Sequence, residues 1–433
     1  MRKIFIILAA TAAIGSCTPP AKTVNGNTAA PSFDVAEVTR IENVLAADDM
    51  KGRKTFSPEI DKAAQFISDE YKAAGLQPLA GHTGFIQEFH LLKAKLISLE
   101  GSVENTKTDA SKWSVFTSSN ELAVSEKNGY EKEIISGDDN FPRKARALAG
   151  LKKNLFVRVD RKHAASFGNL ERLKNSFFKN NSNVVFYLSD TMPQQWSVRA
   201  THEVTQQRLA NVIGVIPGRS KANEYVIFSA HYDHIGIGKA VNGDSIYNGA
   251  NDDASGVTAT IMLARHFAKQ GPQERTLVFA AFTAEEIGGY GSQHFSGLFT
   301  PASVIAMFNI EMIGTDSKWG KNTAFITGYD KSDLGTIMQK NLQGSGFTFH
   351  PDPYPTQQLF YRSDNATLAR LGVPAHTIST AKMEAEPHYH QASDEVKTLD
   401  LANMAKIIEA IAISSRSVIE GKDTPSRVNV AGL

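Results

Sequence analysis

Tyr225-Val226-Ile227-Phe228-Ser229-Ala230 is a short apolar run that ends abruptly on His231-Tyr232-Asp233-His234. A little further on, Asn248-Gly249-Ala250-Asn251-Asp252-Asp253 leads into a helical pattern from Ser255 to Lys269. The first run has the length and composition of a buried strand, and the second segment is a Gly-containing turn before a helix. The same alternation extends to both sides. Val212 to Ile216 reads as a strand before it. Thr276 to Phe282 is a buried strand ending at Thr283-Ala284-Glu285-Glu286, and Val304 to Ile310 ends at Glu311. Thr323 to Thr327 reads as a strand and Lys331 to Leu342 as a helix. Ala375 to Ser379 is a strand that leads through a loop to His388-Tyr389-His390, and Leu401 to Ile419 is an amphipathic closing helix. Strands alternating with helices predict an α/β fold, with a mixed, mostly parallel central sheet covered by helices on both faces.

In such sheets ligands bind in the crevice beyond the carboxyl ends of the strands. Five clusters of carboxylate or imidazole fall there, which is the arrangement a metal site needs. Two divalent cations held close together repel, so they require several anionic oxygens and a carboxylate shared between them. Imidazole nitrogen and carboxylate oxygen both suit zinc. A further carboxylate must take a proton from the attacking water and hand it to the leaving amine.

The order His-x-Asp, Gly-Ala-Asn-Asp-Asp-Ala-Ser-Gly, Glu-Glu, Asn-Ile-Glu-Met-Ile-Gly and Tyr-His resembles the M28 family of co-catalytic zinc peptidases. Met50-Lys51-Gly52-Arg53 through Gly75-Leu76 resembles that family's N-terminal helical region, where Ile60, Ala63, Ala64, Ile67, Tyr71 and Ala74 recur at helical spacing. The resemblance implies a zinc-peptidase-like fold and two Zn2+ ions, with other divalent metals able to replace them. It implies metal ligation by His231, Asp252, Glu286, Glu311 and His390. Asp252 would be shared by both ions, and the Asp252–Asp253 peptide would be cis. Asp233 would stand behind the ligands and orient them, Glu285 would be the general base, Tyr389 would stabilise the oxyanion, and Arg362 would contact substrate. His234 and His388 are expected outside the ligand set, and His202, His266, His294 and His376 are expected to be structural. Asp394 is open between a role behind the ligands and a helix cap near Val396. The chain departs from the family pattern at Glu311, where aspartate is common, at Asn365, where histidine is usual, and at His388, where an acidic residue is common. The activity implied is hydrolysis of the N-terminal residue of peptides by a metal-bridged water, a metallo-aminopeptidase. A carboxypeptidase or dipeptidase on the same site, a glutaminyl cyclase on one zinc, and a non-catalytic binding module are the alternatives.

The remaining segments are less chemical. Residues 95–205 carry many Lys, Asn and Ser, with short apolar runs such as Leu155-Phe156-Val157, and read as an inserted β-rich subdomain between catalytic segments 35–94 and 206–422. Arg2 and Lys3 lead into Ile4 to Leu8 and then small residues, so residues 1–16 read as an export signal. Ile14-Gly15-Ser16-Cys17 resembles the lipobox of bacterial lipoproteins, which implies lipidation of Cys17 and a lipid-anchored protein of the cell envelope, periplasm-facing or in the outer membrane. Residues 17–34, rich in Thr, Pro, Ala and Asn, read as a flexible tether. Cys17 is the sole cysteine, which excludes a disulfide framework and a cysteine metal site. With 46 basic and 45 acidic residues there is no charge excess to bind nucleic acid. Peptides and the membrane anchor are the expected partners, and the oligomeric state is left open by the sequence.

Overall fold

The computed structural model describes residues 33–431. The expected export signal, Cys17 and the tether up to residue 32 lie outside the described residues. Among the described residues no helix is long and apolar enough to cross a membrane.

The main sheet has four parallel strands at its centre, in the order Arg275–Phe282, Lys221–His231, Val304–Ile310 and Ala375–Ser379. Antiparallel pairing begins on both flanks. Thr323–Ile326 joins Ala375–Ser379, and Trp196–Ile216 joins Arg275–Phe282. The central strands carry near-continuous apolar runs because both of their faces are covered. Alternation assigns the faces. Val226, Phe228 and Ala230, with Leu277, Phe279 and Ala281, enter one core, while Ile227, Val278, Ala280 and Phe282 enter the other. On the first face Phe228 stacks between Phe279 and Phe308, with ring centroids 5.5 and 5.2 Å away. That face is covered by helices Val35–Leu45, Pro58–Ala74, Ser255–Gln270 and Leu401–Ile419. The opposite face is covered by Tyr290–Ser296 and Asn365–Ala369, through Phe295, Leu368 and Ala369.

Local sequence explains the helix ends that bear on the site. Pro58–Ala74 begins with proline in its first turn and ends at Gly75, whose φ of 82° is open to glycine at no steric cost. Leu401–Ile419 starts behind Asp400, whose carboxylate accepts from the Asn403 amide.

Two long strands, Ile86–Val103 and Trp196–Ile216, pair antiparallel along their length and run out of the main sheet. Between them lies a separate sheet of Trp113–Phe116, Val184–Leu188, Leu155–Val159 and Glu131–Ile135, with the helix Phe141–Gly150 beside it. Positions 95 and 205 therefore fall within continuous strands. The alternating pattern of such a ribbon carries no mark of where it leaves one core for another.

Candidate metal centre

The parallel strands end level with one another. His231 is opposite Phe282, Ser229 opposite Asn309, and Ile310 opposite Ile378. Residues just past these ends therefore share one edge, and His231, Glu285, Glu286 and Glu311 converge there from three strands.

Asp252 is the hub. Its Oδ1 lies 3.3 Å from His231 Nε2, and its Oδ2 lies 3.2 Å from His390 Nε2. His390 Nε2 is also 3.3 Å from Glu286 Oε2. Metal–ligand bonds of about 2.0–2.1 Å in a tetrahedron give ligand–ligand edges of about 3.3–3.4 Å, so these spacings fit zinc. Buried Glu311 Oε2 has no hydrogen-bond partner, and Glu286 Oε1 faces the His234 imidazole at 2.9 Å. Lone pairs buried without donors are costly unless something else satisfies them, and a cation would do so. The residues present fit a divalent metal ion such as zinc. Asp252, Glu285, Glu286, Glu311, Tyr389, His390 and Arg362 line one cavity, with Met312, Phe325, Leu359 and Met383 supplying apolar wall.

Electrostatics carry the same imprint. Burial disfavours ionised Asp252, but hydrogen bonds to His231 and His390 outweigh it and hold the carboxyl low. Burial likewise opposes Glu286, and the imidazoles of His234 and His390 bring it to about 2. His390 is raised to about 10 by Asp252 and Glu286. Burial also works against a charged His231, yet Asp252, Asp253 and Glu285 hold it well above its ordinary value. Glu285 is different: burial, then Glu311, Asp364 and Asp233, push it well above the carboxylate range against the pull of His231. Glu311 is pushed up to about 7, chiefly by burial.

Three buried aspartates lace the loops together by accepting backbone amides. Asp233 takes those of Glu285 at 3.0 Å and Glu286 at 3.4 Å, along with the Thr55 hydroxyl at 2.9 Å. The Asp233 carboxylate thus positions the Glu285–Glu286 turn, while its backbone carbonyl is the 3.0 Å partner of His231 Nδ1. Asp253 takes the amides of His231, Gly256 and Met312. Asp394 takes those of Asn251 at 2.8 Å and Asp252 at 3.0 Å. The short helix Val396–Thr398 has no side-chain cap, so Asp394 serves the Asp252 loop instead. The Asp252–Asp253 peptide is cis. Gly249 has φ +62°, and a Cβ there would sit 2.5 Å from the His234 ring.

Fully buried Arg53 completes the frame. It donates to the carbonyls of Leu45, Tyr232, Asn248 and Gly249 at 2.6–2.8 Å, tying the N-terminal helices to the His231 and Asp252 loops. Reading the sequence marked Arg53 only as part of a resembling segment, because nothing local says that a distant arginine will find four carbonyls.

His234 departs from expectation. Its Nδ1 lies 2.9 Å from Glu286 Oε1 and 3.8 Å from Asp252 Oδ2, so it stands within reach of a metal held by those carboxylates. Position alone, three residues past His231 on an irregular turn, could not place it. Tyr389 stacks on His390 with centroids 3.9 Å apart, and burial with nearby Asp252, Glu311 and Glu286 pushes its hydroxyl up. Arg362 is exposed at the cavity, near Gln357 Oε1 at 3.4 Å. Asn365 is buried away from it, donating to the carbonyls of Phe360 and Ala375, so the departure there is structural. His388 pairs with Ser393 at 2.9 Å. His376 is buried between Thr327 and Ser332, His294 stacks on Phe89, and His266 contacts Gln270.

Residues 211–414, which hold all of these ligand candidates, match the model of peptidase family M28. This part of the chain is an M28 domain. Similar proteins agree. The chain is 32% identical to aminopeptidase YwaD of Bacillus subtilis over 52% of its own length and 48% of that protein's. It is 37% identical to a probable zinc metalloprotease of Pyrenophora teres f. teres over 37% of its own length and 32% of that protein's. The chain thus spans about a third to a half of the length of these curated relatives. Solved structures share the fold along most of the chain. An aminopeptidase from Aneurinibacillus sp. strain AM-1 superposes with TM-score 0.53 at 18% identity, covering 93% of this chain and 97% of that one. BSAP, a zinc aminopeptidase from Bacillus subtilis, does so with TM-score 0.56 at 16% identity, covering 92% and 98%. The matched M28 segment begins inside the strand Trp196–Ile216, so Arg53 and Thr55 reach the M28 domain from outside it.

Proposed function

We propose that this chain is a metal-dependent exopeptidase that removes the N-terminal residue of peptides, with two zinc ions in the Asp252 cluster. The observation that carries the reading is one carboxylate between two imidazoles, Asp252 Oδ1 against His231 and Oδ2 against His390, at 3.3 and 3.2 Å. His231 and Glu311 would hold one ion and Glu286 and His390 the other, with Asp252 shared. When bound, the ions supply Lewis acidity toward the scissile carbonyl and lower the pKa of water at the site. The protein's own residues do the rest. Glu285 lines the cavity beside Glu286, where it would take a proton from the attacking water and deliver it to the leaving amine. The Tyr389 hydroxyl donates to the developing oxyanion. Arg362 at the cavity would contact the substrate. Export and lipid attachment at Cys17 belong to the same proposal, which puts the enzyme in the cell envelope; a Cys17→Ser chain that stays in the membrane fraction would contradict the anchor.

The test is metal content and turnover on one preparation. Aminoacyl-anilides are offered beside N-blocked versions of the same compounds. Two zinc per chain with cleavage of free-amine substrates alone is expected. One zinc would favour the cyclase, and cleavage of blocked or C-terminal substrates would favour the carboxypeptidase.

A further inference from the structure

The inserted segment meets Tyr290, just past the Glu285–Glu286 turn, through Ser176 and Phe178, while Phe177 between them belongs to a different core. Phe177 faces inward: its amide and carbonyl bond to Leu92 at 3.0 and 2.7 Å, and its ring packs on Phe116 at 4.6 Å within the core of the insertion. Phe178 faces the other way, 5.7 Å edge-on from Tyr290 and 6.2 Å from Phe89. The Ser176 carbonyl accepts from the Tyr290 hydroxyl at 2.5 Å.

Tyr290 is well placed to transmit that contact. It heads the helix Tyr290–Ser296, and its amide donates to the Ala284 carbonyl at 3.1 Å. The amides of Gly288 and Gly289 both donate to the Glu285 carbonyl. Ala284, the residue before Glu285, has φ +59°, a conformation that L residues with a β-carbon adopt at a cost. Such a backbone persists only where its surroundings over-determine it. Here Ala284 is buried against Phe89, Leu91 and Leu209, in the same small cluster that takes in Phe178 and Tyr290. Asp233 holds the turn from inside the sheet, and the insertion holds it from outside.

We infer that the inserted subdomain braces the turn presenting Glu285 and Glu286, with Tyr290 as a positioning residue and Ser176–Phe178 as the surface against which it rests. The activity readout rests on the peptidase reading above; the structural readout does not. The experiment uses the full chain as wild type, Tyr290→Phe, Phe178→Ala and Phe178→Leu. Hydrogen exchange is followed by mass spectrometry, together with kcat and KM on a free-amine anilide. Loss of the brace is expected to speed exchange of the amides of residues 284–290 by roughly tenfold in Tyr290→Phe and Phe178→Ala, leaving the strand Arg275–Phe282 unchanged. It is expected to lower kcat about 5- to 20-fold with KM within about twofold, and Phe178→Leu should recover most of the loss. Turn exchange and kcat within about twofold of wild type in both Tyr290→Phe and Phe178→Ala would overturn the inference, as would a rise in KM at constant kcat, which marks a substrate contact. If the wild type cleaves no anilide, the peptidase reading fails, and the exchange comparison still decides the brace.

Discussion

Replacing Glu285 with glutamine separates catalysis from metal binding more cleanly than any other change in the cluster. The side chain keeps its volume, and the amides of residues 285 and 286 still reach Asp233 at 3.0 and 3.4 Å, because those bonds belong to the backbone. Glu286 therefore stays in place against His390 and His234. Under the proposed mechanism, what is lost is a proton acceptor. A positioned general base contributes about 10²–10⁴ in rate, which at about 1.4 kcal/mol per decade is roughly 3–6 kcal/mol of barrier. Stability should move the other way. Glu285 sits with Glu311, Asp364 and Asp233 in a buried acidic set that raises its pKa, so a neutral amide relieves crowding in the metal-free protein. The expected outcome is unchanged zinc per chain by elemental analysis, kcat lower by about 10²–10⁴, and a metal-free unfolding midpoint equal to or above wild type. Turnover within tenfold of wild type with full metal content would refute Glu285 as the base. Loss of zinc together with activity would show that it is a ligand.

Other perturbations follow from the same geometry. Asp394→Asn leaves one of the Asn251 and Asp252 amides without an acceptor, which should cost about 2–4 kcal/mol and weaken zinc against a chelator in competition titrations. Arg53→Met takes a donor from four buried carbonyls and should destabilise by about 3–5 kcal/mol in chemical denaturation, and lysine should not rescue it because it lacks the planar fork. In the metal-free protein His390 is raised to about 10 by Asp252 and Glu286. A base with a raised folded pKa contributes stability that is complete below its unfolded pKa of about 6.5 and is lost as pH climbs to about 10. Chelated protein should therefore lose stability across that window, while zinc binding tightens with pH and releases protons, both measurable by calorimetry. Phe228→Ala removes a ring stacked between Phe279 and Phe308 and should cost about 3–5 kcal/mol without changing zinc content.

Much of this was legible in the chain itself. Hydrophobic runs of strand length ending on His231, Glu285 and Glu311 are local signals, and parallel strands bring their carboxyl ends to one edge whatever the loops do. The fold class and the convergence of five carboxylate or imidazole clusters on that edge could thus be reasoned from residue order, while the resemblance to the M28 family singled out His231, Asp252, Glu286, Glu311 and His390 within them. Other features depend on partners remote in sequence. Asp233 binds amides some fifty residues on, at Glu285 and Glu286. Asp394 and Arg53 reach loops more than a hundred residues away. His234 falls beside Glu286 only because the chain turns after the strand. Ser176 and Phe178 meet Tyr290 only because a long two-stranded ribbon brings the segment between its strands back to the main sheet. Periodicity and strand ends are properties of neighbouring residues, so sequence determines them. Hydrogen bonds across long loops depend on where packing finally sets each backbone, and only the tertiary structure decides that.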